Sequence, residues 1–358
     1  MINRTVRTIF FTFVIHKFKK QDLDQLLISG FRNILDDPHQ PVCIVVHTNP
    51  DGDAIGSALA MYALLKKIGF IDVQVIAPNR YASFLHWMPG NDKVIIATDF
   101  KKEADAAIEN AKVLFCLDFN GYGRTDQLET QLKSSKAVKV MIDHHPAPES
   151  GFDLVFSDTT ASSTAELVFE VIDAAGLGLH IDQTIAQCLY AGIVTDTGSF
   201  SFSCNNPRTY EIVAVLMRTG IDGAAIQRLI YSTYSIDRMR LLGYCLVEKL
   251  KIIDGQEAAY ISLTKKELKD FNYQEGDTEG VVNYALNIEG INLAAMFIEN
   301  EDHIKASFRS AGDINVNLFA RSFYDGGGHQ NASGGKSYSG IEDTLKDFEA
   351  LIKKGVHK

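Results

Sequence analysis

Residues 42–57 read Val42-Cys43-Ile44-Val45-Val46-His47-Thr48-Asn49-Pro50-Asp51-Gly52-Asp53-Ala54-Ile55-Gly56-Ser57, and the rest of the chain is understood from them. An unbroken β-branched run bounded by turn residues predicts a strand buried on both faces. Asn49-Pro50-Asp51-Gly52 is dense turn chemistry. From Ala54 to Lys67 the apolar residues fall at helical spacing, so the unit is strand, acidic loop, helix. In an open α/β sheet such a loop lies at the carboxyl edge, where ligands bind. Asp51 and Asp53, crowded there beside His47, repel one another unless a cation lies between them. Hard oxygens with one imidazole suit Mn²⁺ or Mg²⁺ better than a thiolate metal. The same Asp-Gly-Asp also suits a turn that only caps a helix.

Outward from this stretch the pattern repeats. Residues 21–35 predict a helix leading into the first strand, and residues 72–77 a second strand. Residues 112–118 give a third strand, ending in Asp118, and residues 137–146 a fourth, ending in Asp143-His144-His145. Strands alternating with helices predict a parallel sheet with right-handed crossovers. Three acidic or histidine-bearing strand ends then converge on one edge. A further apolar segment, residues 188–195, runs into Asp196 and the small residues Thr197, Gly198 and Ser199. Ser163-Thr164-Ala165-Glu166 fits a capping box, a structural signal that needs no chemistry.

Residues 209–246 are helical in pattern, so the connection to a second domain is a helix. That domain carries a hairpin around Asp254-Gly255 and paired strands around Glu301-Asp302. The expected architecture is α/β throughout. A first domain with a mostly parallel sheet flanked by helices, residues 1–238, includes the N-terminal extension and the helical linker; a smaller α/β domain with a mixed sheet follows, residues 239–358. Gly326, Gly327 and Gly328 with His329 can open backbone N–H groups to a phosphate, or form a flexible turn.

Composition sets the outer bounds. Of 358 residues, 46% are hydrophobic and 22% charged, ordinary for a globular protein with a substantial core. A formal net charge of −10 argues against gripping duplex DNA through a basic face. The five cysteines form no Cys-x-x-Cys pair and read as reduced core residues of a cytoplasmic protein. The apolar run at residues 9–15 is too short to span a bilayer and no small-residue cleavage site follows it, so a poorly packed N-terminal extension is expected.

Together, His47-Thr48-Asn49-Pro50-Asp51-Gly52-Asp53, Asp118, Asp143-His144-His145 and Asp196-Thr197-Gly198-Ser199-Phe200 resemble the motifs of the DHH phosphoesterase family. Gly326-Gly327-Gly328-His329 with Ala332-Ser333-Gly334 is similar to the signature of the DHH-associated C-terminal domain. The resemblance spans about residues 40 to 340, and five motifs in order make it specific. The two-domain arrangement looks most like the nanoRNase/pAp phosphatase branch, whose members cut short single-stranded oligoribonucleotides and dephosphorylate 3′-phosphoadenosine 5′-phosphate (pAp).

The resemblance implies two divalent ions, Mn²⁺ first, with Mg²⁺ or Co²⁺ as substitutes. His47, Asp51 and Asp118 would hold one ion. Asp53, Asp118, His144 and Asp196 would hold the other, with Asp118 bridging and with Asp118, His144 and His145 in catalytic roles. Asp143 would stand behind the ligands. Arg309, the glycine triplet and His329 would bind substrate phosphate across a cleft that limits substrate length. Arg124 lies close enough in sequence to Asp118 to help, or else is a solvated turn residue. Arg321 could clamp phosphate or make a surface ion pair. His86 and Trp87 could stack on a base, although a core tryptophan fits Trp87 better. Neither membrane nor duplex DNA is an expected partner; relatives often form homodimers. Hydrolysis of linear or cyclic dinucleotides (pApA, cyclic di-AMP) is the competing activity, and a non-catalytic nucleotide sensor the competing class.

Overall fold

The computed structural model describes residues 24–356. In its first part, strands β1 (Val42–Val45), β2 (Val73–Ala77), β3 (Val94–Ile96), β4 (Val113–Leu117), β5 (Val138–Asp143) and β6 (Leu154–Ser157) form one sheet in the order β3-β2-β1-β4-β5-β6. Every neighbouring pair is parallel, with Val42 of β1 level with Val73 and Val113 on either side.

The unbroken apolar runs follow from this placement. Along β1, Val42 and Ile44 face one hydrophobic cluster while Cys43 and Val45 face another, and β4 splits its side chains the same way. A strand side chain alternates faces every residue, so a sheet covered on both sides needs apolar residues at every position. Each buried aliphatic side chain contributes about 1.5–3 kcal/mol. The central strands are therefore fixed in register.

Strand order reverses between β1 and β4, which puts the ends of those strands at the crevice where open α/β sheets bind ligands. The two edge strands, β3 and β6, are only 3 and 4 residues long and were not anticipated. The apolar segment before Asp196 is helical, Gln183–Asp196, so this acid comes from a helix end rather than a strand end. It packs against the helix Gly52–Lys67 at close range. A Cβ on Gly56 would lie 2.5 Å from the Cys188 carbonyl, so only glycine admits this contact. The five cysteines are all free and buried.

Helices Pro207–Arg218, Gly223–Tyr231 and Ile236–Tyr244 follow, as the pattern predicted. Contacts divide the chain between Ser232 and Thr233. Leu241 and Cys245 join the hydrophobic cluster of the second unit.

That unit holds a second sheet, made of β7 (Lys251–Ile252), β8 (Ala258–Leu263), β9 (Leu293–Glu299), β10 (Ile304–Ser310), β11 (Gly327–Gly328) and β12 (Ala332–Ser337). Its order is β11-β12-β10-β9-β8-β7, and it is mixed because β8 and β9 run parallel while the other pairs are antiparallel. Both expected hairpins, β7/β8 and β9/β10, are present. Phe297, Phe308, Phe319 and Phe348 pack on one face of this sheet.

The apolar run at residues 9–15 and the start of the first predicted helix lie outside the described residues; that helix is described from Gln25 to Ile34. Among the described residues no helix is long and apolar enough to cross a membrane.

Candidate metal centre

The loop after β1 serves as both cap and site. Asp51 is the N-cap of the helix Gly52–Lys67, and its Oδ1 accepts the N–H groups of Asp53 and Ala54 at 3.0 Å each. The turn is stapled by Asn49, at φ 55°, whose N–H donates to Asn79 Oδ1 while Asn79 Nδ2 donates back to Asn49 Oδ1. So the capping reading and the chemical reading of Asp-Gly-Asp hold together.

Asp118 follows the last residue of β4 and turns into the left-handed region, φ 64°, a costly conformation for a non-glycine residue and one that concentrates at functional sites. The turn sends its carboxylate between two groups of side chains. Oδ2 lies 3.3 Å from His47 Nε2, and Oδ1 lies 3.8 Å from His144 Nε2. His47 Nε2 is also 4.0 Å from Asp51 Oδ1. On the other side, His144 Nε2 is 3.9 Å from Asp53 Oδ2 and 3.5 Å from Asp196 Oδ2.

The histidines are held by their other nitrogens. Nδ1 of His47 bonds the Thr48 carbonyl at 2.8 Å, and Nδ1 of His144 lies 3.3 Å from the Ala161 carbonyl. Backbone bonds of this kind fix ring orientation and turn Nε2 toward the acids. His47, Asp51 and Asp118 thus form one set of potential ligand atoms within 4.8 Å of one another, and Asp53, His144 and Asp196 a second set.

The electrostatics show what these groups lack. Burial pushes the Asp53 carboxyl well above its ordinary value, and the nearby Asp118, Asp196 and Asp51 push the same way. Burial would also raise Asp118, but the hydrogen bond to His47 and the charges of His47, His144 and Arg124 outweigh it and hold Asp118 at about 2. Burial and like charge thus work against ionising Asp53, and hard oxygens with two imidazoles are the donors that divalent cations accept. The clusters can hold metal ions.

His145 stands beside them. Its Nδ1 lies 2.7 Å from Asp143 Oδ1, and Asp143 is fully buried. Burial first, then the Asp118 charge, pushes Asp143 to about 7. Asp143 thus holds the His145 ring by its Nδ1, and with Asp118 and His145 it makes a further group of potential ligand atoms within 4.8 Å of one another.

The helix Thr164–Ala174 changes one expectation. The Ser163 hydroxyl does accept the Glu166 N–H, at 3.1 Å. Glu166, however, does not complete a capping box; its carboxylate takes the Ser162 and Thr209 hydroxyls at 2.5 and 2.7 Å. The N–H groups of Thr164 and Ala165 donate to the two oxygens of Asp53 at 2.6 and 2.8 Å. The Thr164 hydroxyl donates to Asp118 Oδ1 at 2.8 Å. A segment read as purely structural therefore holds the site. Nothing in its linear pattern distinguishes this use of a helix N-terminus from an ordinary cap.

Comparison with known proteins fits this geometry. The family model described as "DHH family, N-terminal domain" matches residues 41–193, and that of the "DHHA1 domain" matches residues 255–357. A probable bifunctional oligoribonuclease and PAP phosphatase NrnA of Streptococcus mutans is 30% identical, over 91% of this chain and 100% of its own length. The chain belongs to the DHH phosphoesterase family. The bifunctional oligoribonuclease and PAP phosphatase NrnA of Bacillus subtilis is 29% identical, covering 86% of this chain and 93% of its own. An exopolyphosphatase-related protein of Bacteroides fragilis, known by crystal structure, is 39% identical, with a TM-score of 0.87 over 94% of this chain and 98% of that one. The protein is thus a hydrolase of phosphoric esters.

The remaining predicted residues of this DHH protein are placed as follows. Arg124 lies in the turn Tyr122–Leu128, and its charge is felt at His47, Asp118 and Asp143. Trp87 packs, partly buried, against the main core, and the exposed His86 meets Tyr81 edge-on. In the second unit Arg309 lies on β10, with Nη1 donating to the Phe308 carbonyl at 3.0 Å.

Gly327 and Gly328 pair with β12 as β11, with Gly326 just before them, rather than forming a flexible turn. A Cβ on Gly328 would lie 2.6 Å from the Ala332 carbonyl, and its N–H already donates to Asn317 Oδ1. Close backbone approach accounts for that glycine. Arg321 reaches Asn317 Oδ1 at 3.1 Å.

Proposed function

We propose that this protein is a divalent-metal-dependent phosphodiesterase and phosphatase that degrades short single-stranded oligoribonucleotides to mononucleotides and converts pAp to AMP. The observation that carries the reading is the division of the Asp118 carboxylate between two His/Asp clusters. The names of the two NrnA relatives, which match this chain over nearly their whole length, support the choice of substrates.

His47, Asp51 and Asp118 would hold one ion and Asp53, Asp118, His144 and Asp196 the other, Mn²⁺ being preferred and Mg²⁺ or Co²⁺ acting as substitutes. When bound, such a pair polarises the phosphoryl oxygens and makes water a nucleophile at neutral pH. The protein's own groups do the rest. Asp53 and Asp118 are held rigid by the helix Thr164–Ala174. His145, oriented by Asp143, would give a proton to the ribose oxygen that leaves phosphorus as water attacks in line. Arg124 would offset phosphate charge. Arg309, Gly326, Gly327, Gly328 and His329 would bind the substrate, with guanidinium taking phosphate bidentately.

The test is turnover of pAp, pGpG, pApA, cyclic di-AMP and five-nucleotide RNA by purified protein with Mn²⁺. Release of mononucleotides from the linear substrates and of phosphate from pAp is expected, both lost in Asp118→Ala. Cleavage of cyclic di-AMP alone would contradict the reading, and binding of pAp without turnover would favour a sensor. Arg309→Ala should raise KM with metal content unchanged.

A further inference from the structure

The first turn of the helix Thr164–Ala174 meets both acidic clusters through one residue. Thr164 is fully buried. Its N–H holds Asp53 Oδ2, and its hydroxyl holds Asp118 Oδ1, the oxygen that faces His144. These two carboxylates come from chain segments 65 residues apart, and a third segment joins them.

We infer that the Thr164 hydroxyl is a positioning group that fixes the rotation of the Asp118 carboxylate, so that one oxygen serves each ion; the inference rests on the two-ion reading above. Asp118 turns about its Cβ–Cγ bond, a broad torsion with weak intrinsic preference. The bond from Thr164 closes off that freedom on one side, and His47 Nε2 marks the other oxygen at 3.3 Å. Without the hydroxyl, Oδ1 loses a buried donor and the carboxylate is free to swing toward His47. The ion beside Asp53, His144 and Asp196 then loses a ligand, while the ion beside His47 and Asp51 keeps its own. The Ser162 and Thr209 hydroxyls, both on Glu166, hold the turn that delivers Thr164, so its place does not depend on the hydroxyl itself. Loss of such a supporting partner typically lowers metal affinity about 10–100-fold.

The experiment titrates Mn²⁺ into metal-free wild type, Thr164→Val, Thr164→Ala and Thr164→Ser by calorimetry, with circular dichroism on the same samples. Valine keeps the shape and removes the hydroxyl; alanine removes it with no added bulk; serine restores it. We expect one of two binding events to weaken about 10–100-fold in the valine and alanine variants and to return to near wild type with serine. The pAp turnover of the valine variant should recover at high Mn²⁺, a dependence that a merely structural defect would not show. Two wild-type-strength binding events in a folded valine or alanine variant, or a serine variant as weak as valine, would overturn the inference. If wild type itself takes up fewer than two ions, the two-ion reading fails and the inference falls with it, a result seen in the parent protein before any variant is compared.

Discussion

Asp118 does what no other acid of the site does: it looks both ways. A left-handed backbone at the end of a buried strand, a threonine donor on one oxygen and a histidine on the other set its carboxylate between two clusters. His145, the proton donor proposed above, is held by a buried acid through Nδ1. Replacing His145 with Gln should lower kcat about 10²–10⁴-fold, the range for loss of a general acid. Its Mn²⁺ uptake by calorimetry should stay near wild type; an unchanged kcat would remove His145 from the chemistry. Each acid and histidine now in the two clusters was legible in the sequence, because each follows a buried apolar run. Thr164 and the amides of Ala165 were not, since a helix N-terminus aimed at a distant carboxylate has the same linear pattern as a capped one. Asp143 was expected behind the ligands from its position alone; the structure bonds it to His145 and also brings it within 4.8 Å of an Asp118 ligand atom.

Among the elements, the crossing of Gly52–Lys67 with Gln183–Asp196 controls how close Asp53 and Asp196 can come. A Cβ on Gly192 would lie 2.6 Å from Ala165 Cβ and 2.9 Å from Asp53 Oδ1, so glycine is needed at this crossing. Gly192→Ala should destabilise the fold by about 1–3 kcal/mol through overpacking and weaken Mn²⁺ binding in the same sample; an unshifted thermal melt would show that the helices have room to part. The central strands were readable because burial on both faces leaves continuous apolar runs. The edge strands β3 and β6 were not, since each offers an apolar run of only about three residues, shorter than the 4–8 that marks a buried strand. The glycine triplet shows the opposite limit. Its composition suggests a phosphate loop, while close backbone approach to β12 explains Gly328 without one.

For the molecule as a whole, two units carry separate cores, and the helical connection between them could be read from the sequence. The second unit has its own electrostatic anchor in Glu267. Burial alone would raise this carboxyl, but the Lys249 ammonium, the Thr264 amide and hydroxyl and the Tyr244 hydroxyl outweigh it and hold it at about 2, below its ordinary 4.5. A depressed carboxyl stabilises the fold above its unfolded value, and that contribution fades as pH falls through the folded one. Glu267→Gln should therefore cost about 1–3 kcal/mol at neutral pH, the gap from wild type in urea unfolding closing between pH 4.5 and about 2. A gap independent of pH would mean that the ionised carboxylate is not what stabilises the unit.

The central claim is that acids and imidazoles from four separate segments hold two ions with Asp118 between them. Anomalous diffraction from crystals grown with Mn²⁺ tests it most directly. The account predicts two peaks per chain, one beside His47 and Asp51 and one beside Asp53, His144 and Asp196, with an Asp118 oxygen on each. A single peak, or two peaks with Asp118 on only one, would contradict it.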